Sequence, residues 1–120
     1  MVFDNGKFES GKTAVPISRI KELDVEGTGI LYQFAPGPLV LGTVAYYTPI
    51  HGSVEELSNG NILASAGVTG RIFEVDRTTG RVVWDYRSPF GAPMKGWPSV
   101  LVNDVYTAHR YPKGYAPNLP

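Results

Sequence analysis

Two glycine-containing turns set between three short apolar runs constrain this chain more than anything else in it. Asn59-Gly60-Asn61-Ile62-Leu63 is followed by Gly70-Arg71-Ile72-Phe73-Glu74-Val75-Asp76 and then by Thr79-Gly80-Arg81-Val82-Val83-Trp84-Asp85-Tyr86. Asn59-Gly60 offers two residues tolerant of positive φ, as a two-residue hairpin loop requires, and Thr79-Gly80 marks a second hairpin. Residues 72–76 partly alternate apolar and polar, whereas Val82-Val83-Trp84 is continuously apolar and predicts a strand covered on both faces. Trp84 and Tyr86 fall on one side of their strand, because side chains there repeat every second residue.

The pattern occurs twice. Ser18-Arg19-Ile20-Lys21-Glu22-Leu23-Asp24 aligns without gaps on the segment from Gly70 to Asp76, an offset of 52 residues. The same offset sets Ile30-Leu31-Tyr32-Gln33-Phe34 against Val82-Val83-Trp84-Asp85-Tyr86, so the aromatic pair recurs by type. A period of this size built from four strands is the signature of a β-propeller. The expected fold is therefore all-β, a partial propeller of about two four-stranded antiparallel blades plus a closing strand. The complete second unit comprises strands at 53–57, 62–66, 71–76 and 82–86. The first unit supplies Val2-Phe3-Asp4, 19–25 and 30–34, with its own first strand lacking. Residues 17–23 are the nearest approach to a helix, and their match to the second unit predicts strand instead.

The chain divides into an incomplete first blade and linker at 1–50, a complete blade at 51–88 and a Pro/Gly-rich connector at 89–120. That last part carries the closing strand Asp104-Val105-Tyr106-Thr107-Ala108-His109. One blade cannot bury both its faces, and an unpaired first edge exposes backbone donors and acceptors. Three readings stay open: the C-terminal piece of a longer protein, one subunit of an oligomeric ring, or a small two-sheet domain.

Composition narrows the function classes. Eleven basic and eleven acidic residues cancel, which removes the electrostatic case for nucleic acid or an anionic membrane surface as partner. No apolar run reaches the roughly 18–20 residues of a membrane span. No basic region followed by an apolar stretch marks a signal peptide at the N-terminus. Cysteine is absent, so disulfides, thiolate catalysis and cysteine-held zinc are excluded. Asp4, Asp24 and Asp76 do not form a calcium loop, and no His/Asp group has metal-ligand spacing, so no metal and no cofactor are expected. Gly67-Val68-Thr69-Gly70 lacks the length and the lysine of a phosphate loop, and Ser53 does not sit in a Gly-x-Ser-x-Gly elbow.

Phe3-Asp4-Asn5-Gly6, Ser18-Arg19 with Glu22, Gly52-Ser53-Val54 and Leu57-Ser58-Asn59-Gly60-Asn61 together resemble the arylsulfotransferase (aryl-sulfate sulfotransferase) propeller family. So do Gly70-Arg71-Ile72-Phe73-Glu74-Val75, Val83-Trp84-Asp85-Tyr86 and Ala108-His109-Arg110-Tyr111-Pro112. The likeness runs from Phe3 to about Tyr115 and matches the C-terminal part of that family. It implies a six-bladed propeller, a periplasmic or extracellular location, and transfer of a sulfuryl group between phenols through a sulfo-histidine in a central funnel. The segment Val75-Asp76-Arg77-Thr78-Thr79-Gly80-Arg81-Val82-Val83-Trp84 is also similar to the blade repeat of pyrroloquinoline-quinone-type propellers. That repeat is structural and does not itself bind the quinone.

Under the first resemblance, His51 is the candidate nucleophile or proton carrier. Arg71, His109 and Arg110 are the candidate anion stabilisers, since guanidinium presents a planar fork of donors. Tyr46 and Tyr47, in the linker, are placed to stack on an aryl group, and Thr69 and Asn61 are funnel ligands by analogy. Partners would be further blades, from the same protein or other copies, and a phenolic sulfate substrate. Each assignment has a plainer counterpart. His51 suits a turn, and His109 and Arg110 suit a polar strand. Arg71, recurring as Arg19, suits a structural contact to Glu74, Asp76 or a carbonyl. Trp84, Tyr86, Tyr32 and Phe34 form a ladder suited to packing. The non-catalytic alternative is an assembly module that pairs through exposed sheet edges.

Overall fold

The structure is a computed structural model that describes residues 1–6, 17–35 and 48–116. Its strands are β1 (Val2–Asp4), β2 (Arg19–Leu23), β3 (Ile30–Phe34), β4 (Gly52–Glu56), β5 (Ile62–Ala66), β6 (Arg71–Asp76), β7 (Arg81–Arg87), β8 (Ala92–Met94) and β9 (Trp97–Val102). A single 3₁₀ turn at Gly67–Thr69 is the one helical element among the described residues. All ladders are antiparallel and follow chain order: a three-stranded sheet β1-β2-β3, a four-stranded sheet β4-β5-β6-β7 and a two-stranded hairpin β8-β9. The all-β class and the meander of 62–87 follow the expectation, with boundaries shifted by one or two residues.

The two larger sheets share their pairing in detail. Lys21 pairs Gln33 and Glu22 pairs Tyr32, after which the register shifts and Leu23 pairs Ile30. In the other sheet Phe73 pairs Asp85 and Glu74 pairs Trp84, after which the register shifts and Val75 pairs Val82. Every partner, and the irregularity itself, lies 52 residues further along. A bulge re-aims the residues beyond it, so its common position keeps the aromatic pair on one face in each sheet. β1 stands to β2 as β5 stands to β6, because Phe3 pairs Ile20 as Ser65 pairs Ile72. β4, bonded to β5, has no counterpart in the three-stranded sheet among the described residues.

The sheets pack face to face. Phe3, Ile20, Tyr32 and Phe34 of the first meet Val54, Ile62, Ala64, Phe73, Val75 and Val82 of the second. Phe34 and Phe73 lie 6.3 Å apart between ring centroids, tilted at 42°. Close approach at the start of β4 demands glycine, because a Cβ on Gly52 would sit 2.6 Å from the Phe3 ring.

Four expectations need correction. The apolar run at 82–84 is not covered on both faces: Val83 is 55% and Trp84 41% exposed, because β7 is an edge strand and the bulge turns Val83 outward. Residues 104–109 form no strand; two of their backbone N–H groups bond Gly67 O and Ser53 Oγ instead of a ladder. The Pro/Gly-rich connector holds a hairpin, where Pro93 pairs Leu101. Proline is tolerated there because both strands are edges. At Asn59-Gly60 only the glycine has positive φ (81°), so the loop is longer than a two-residue turn and closes through Leu57 and Asn61.

Candidate functional site

Alternation along the strands of the four-stranded sheet sorts the candidate residues onto two faces. Ser53, Glu55, Leu63, Ser65, Ile72, Glu74, Trp84 and Tyr86 occupy the face away from the first sheet, as the cross-strand pairs require. Arg71 alternates with Ile72 and so belongs to the opposite face, with Phe73. There its Nε donates to Asp85 at 2.9 and 3.1 Å and its Nη2 completes a bidentate pair. The contact to Glu74, Asp76 or a carbonyl expected of a structural Arg71 is instead made to Asp85, diagonally across the ladder. Arg19, at the matching position, donates to Ile17 O at 3.3 Å.

His51 precedes β4 with φ of 59°, the left-handed region that a residue with a Cβ occupies at a cost of roughly 1–2 kcal/mol. Three contacts hold it there. Asn5 Nδ2 donates to His51 O at 3.0 Å, Gly67 lies so close that a Cβ would come within 2.4 Å of the His51 Cβ, and the imidazole lies 4.1 Å from the Tyr106 ring centroid. Its Nδ1 is 3.0 and 3.1 Å from the two carboxylate oxygens of Asp104. A carboxylate on Nδ1 fixes the ring and leaves Nε2 as the lone-pair nitrogen of the neutral imidazole. Asp104 and Tyr106 reach His51 across more than fifty residues, a separation that no local sequence pattern signals.

Residues 108–111 cross the outward face of the four-stranded sheet. Ala108 N donates to Ser53 Oγ at 3.3 Å, and His109 Nδ1 lies 2.9 Å from Glu55 Oε2. Arg110 pairs with Glu74 and stacks over Trp84, 5.4 Å from its centroid. Glu74 is a buried carboxylate, 5% exposed, which also accepts from Asn61 Nδ2 at 2.7 Å and Asn59 Nδ2 at 3.3 Å. Burial pushes its carboxyl up, but Asn61, Asn59 and Arg110 together outweigh that and hold it below the usual glutamate value. A cleft of about 390 Å³ lies beside this cluster, between the turn at 55–59 and residues 110–112.

The sequence candidates therefore do not converge. His51 stands with Asp104, His109 with Glu55, Arg110 with Glu74 and, across the sheet, Arg71 with Asp85. Thr69 donates to Ala66 O at 2.8 Å inside the 3₁₀ turn, and Asn61 serves Glu74. Tyr46 and Tyr47 lie outside the described residues. Sequence reasoning missed Asp104, Tyr106, Glu55 and Glu74. Among the described residues no group of histidine and carboxylate side chains could hold a metal ion, and no helix is long and apolar enough to cross a membrane. Comparison with protein-family models, with curated proteins and with solved structures finds no match.

Proposed function

We propose that this chain is a non-catalytic β-propeller segment whose first sheet is completed by strand addition along the edge of β1 that no described strand pairs. One observation carries the reading. β5 is bonded on both sides, by β4 and β6, whereas its counterpart β1 is bonded by β2 alone among the described residues. An open edge of this kind is a template for a strand from another chain, with backbone hydrogen bonds supplying the affinity. The pairing of Arg71 and Arg110 with carboxylates supports the same reading, since these contacts fasten the fold. Light scattering on the purified chain tests it. The expected mass is a multiple of 13.1 kDa that falls toward one copy when Val2 is replaced by proline. A monomer at every concentration would overturn strand addition between copies.

A second reading is favoured by the His51–Asp104 pair, and it is the arylsulfotransferase-like one. The His51 Nε2 lone pair attacks the sulfur of a phenolic sulfate, the S–O bond breaks and the phenolate leaves with its electron pair. A second phenol then gives its proton to the released phenolate and takes the sulfuryl group as the N–S bond breaks, which restores the imidazole. Donors to the sulfuryl oxygens are needed, and in this reading they come from further blades, because Arg71 and Arg110 already bind carboxylates. A periplasmic or extracellular location belongs to this reading too. Release of nitrophenol from 4-nitrophenyl sulfate in the presence of a phenol, abolished by His51→Ala, is its expected result; equal release by the variant removes it.

A further inference from the structure

The 52-residue equivalence assigns a role to residues 108–111 that goes beyond strand addition. The face by which the first sheet packs on the second is built from Ile20, Glu22, Tyr32 and Phe34. Displaced by 52 residues, these become Ile72, Glu74, Trp84 and Tyr86, the outward face of the second sheet. The first set is largely buried by its neighbour: Ile20 is 1% and Phe34 8% exposed. Nothing of sheet form covers the second set among the described residues, and Trp84 and Tyr86 are each 41% exposed.

An arginine completes the first interface. Arg77, from the turn after β6, pairs with Glu22 and stands over the Tyr32 ring, 5.1 Å from its centroid. Arg110 does the same at the second face, pairing with Glu74 and standing over Trp84 at 5.4 Å. Glu22 is equivalent to Glu74 and Tyr32 to Trp84, so two arginines from unrelated parts of the chain make one set of contacts. Guanidinium suits both halves of the task, as a fork for the carboxylate and a plane for the ring.

We infer that the Ile72, Glu74, Trp84 and Tyr86 face is a sheet-docking surface whose occupant is this chain's own segment 108–111, with Arg110 filling the place that Arg77 fills at the first interface. The segment acts as a cap. A blade face that no neighbouring sheet covers needs one, because it is otherwise an apolar surface made for a neighbour. It is tied to the sheet on the N-terminal side of Arg110, by the Ala108 bond to Ser53 and by His109 Nδ1 at 2.9 Å from Glu55 Oε2. It covers the centre of the face and leaves the β7 side open, which is why Trp84 and Tyr86 keep their exposure.

The test uses the full chain with Trp97→Phe, so that Trp84 is the sole tryptophan of the two in the sequence. In that background Arg110→Ala shifts Trp84 emission to the red, raises its quenching by acrylamide and adds a larger species to the light-scattering profile of the parent. Arg77→Ala lowers stability without moving Trp84 emission. Unchanged Trp84 emission and mass in Arg110→Ala would overturn the cap. If circular dichroism shows that variant unfolded, Arg110→Lys decides, since lysine keeps the charge and loses the fork. A smaller red shift supports the cap and none removes it. These outcomes are read against the parent's own mass, so they are distinct from the Val2→Pro result.

Discussion

Removing Phe73 should show whether the two sheets form one cooperative unit. The ring is 1% exposed and meets Phe34 of the other sheet at 6.3 Å between centroids. Phe73→Ala deletes buried ring carbons and leaves a cavity that rigid ladders on both sides cannot close, a loss of about 3–5 kcal/mol. Phe34→Ala belongs at the lower end of that range, because Phe34 retains 8% exposure. If the rings face each other across one core, the double variant loses less than the two single losses combined, by about 0.5–1.5 kcal/mol. Urea denaturation followed by far-UV circular dichroism and by tryptophan fluorescence reads all three. Phe→Leu at both positions provides milder variants should an alanine variant not fold. Additivity within about 0.3 kcal/mol, or separate transitions for the two probes, would refute the packing argument.

Two further substitutions test individual side chains. Glu74→Gln should cost about 1–2 kcal/mol at neutral pH, the low end for a charge-assisted hydrogen bond, because Arg110 is 41% exposed. The Glu74 carboxyl lies below its ordinary 4.5 in the fold, so its stabilisation is complete above that value and is lost as pH falls through the lower folded one. Melting at pH 7 and at pH 3 should therefore show the wild-type advantage shrinking in acid; a constant gap contradicts it. Tyr32→Phe should be neutral or raise stability by up to about 1 kcal/mol, since the Tyr32 hydroxyl is buried with no partner among the described residues. A clear loss in urea denaturation would show that the hydroxyl has a partner.

The strands were legible because turn residues and apolar runs mark them locally, and the equivalence of the two units was legible because the same run occurs twice. Where the bulge falls followed from neither, yet the common offset carried it to the same place in both sheets. The aromatic ladder divided into a covered set, Phe34 buried and Tyr32 partly buried, and a half-exposed set, Trp84 and Tyr86. Strand periodicity says which residues share a face and not what covers that face. The cap was hidden for a related reason. Asp104, Glu55 and Glu74 meet His51, His109 and Arg110 across separations of 53, 54 and 36 residues, which no local pattern encodes. The hairpin at 92–102 was masked by its prolines, which speak against strand everywhere except at an edge. Of the candidate site, His51 was placed beside a strand start as expected, but its fixed geometry depends on Asn5, Gly67 and Tyr106.

The central claim is that the edge of β1 unpaired among the described residues is completed by a strand from another copy, and the native mass of the chain with and without proline at Val2 tests it most directly. The account predicts an assembly larger than 13.1 kDa for the wild type and dissociation on Val2→Pro, with Val2→Lys intermediate. A wild-type chain that remains at 13.1 kDa at all concentrations, or an assembly that proline leaves intact, would contradict it.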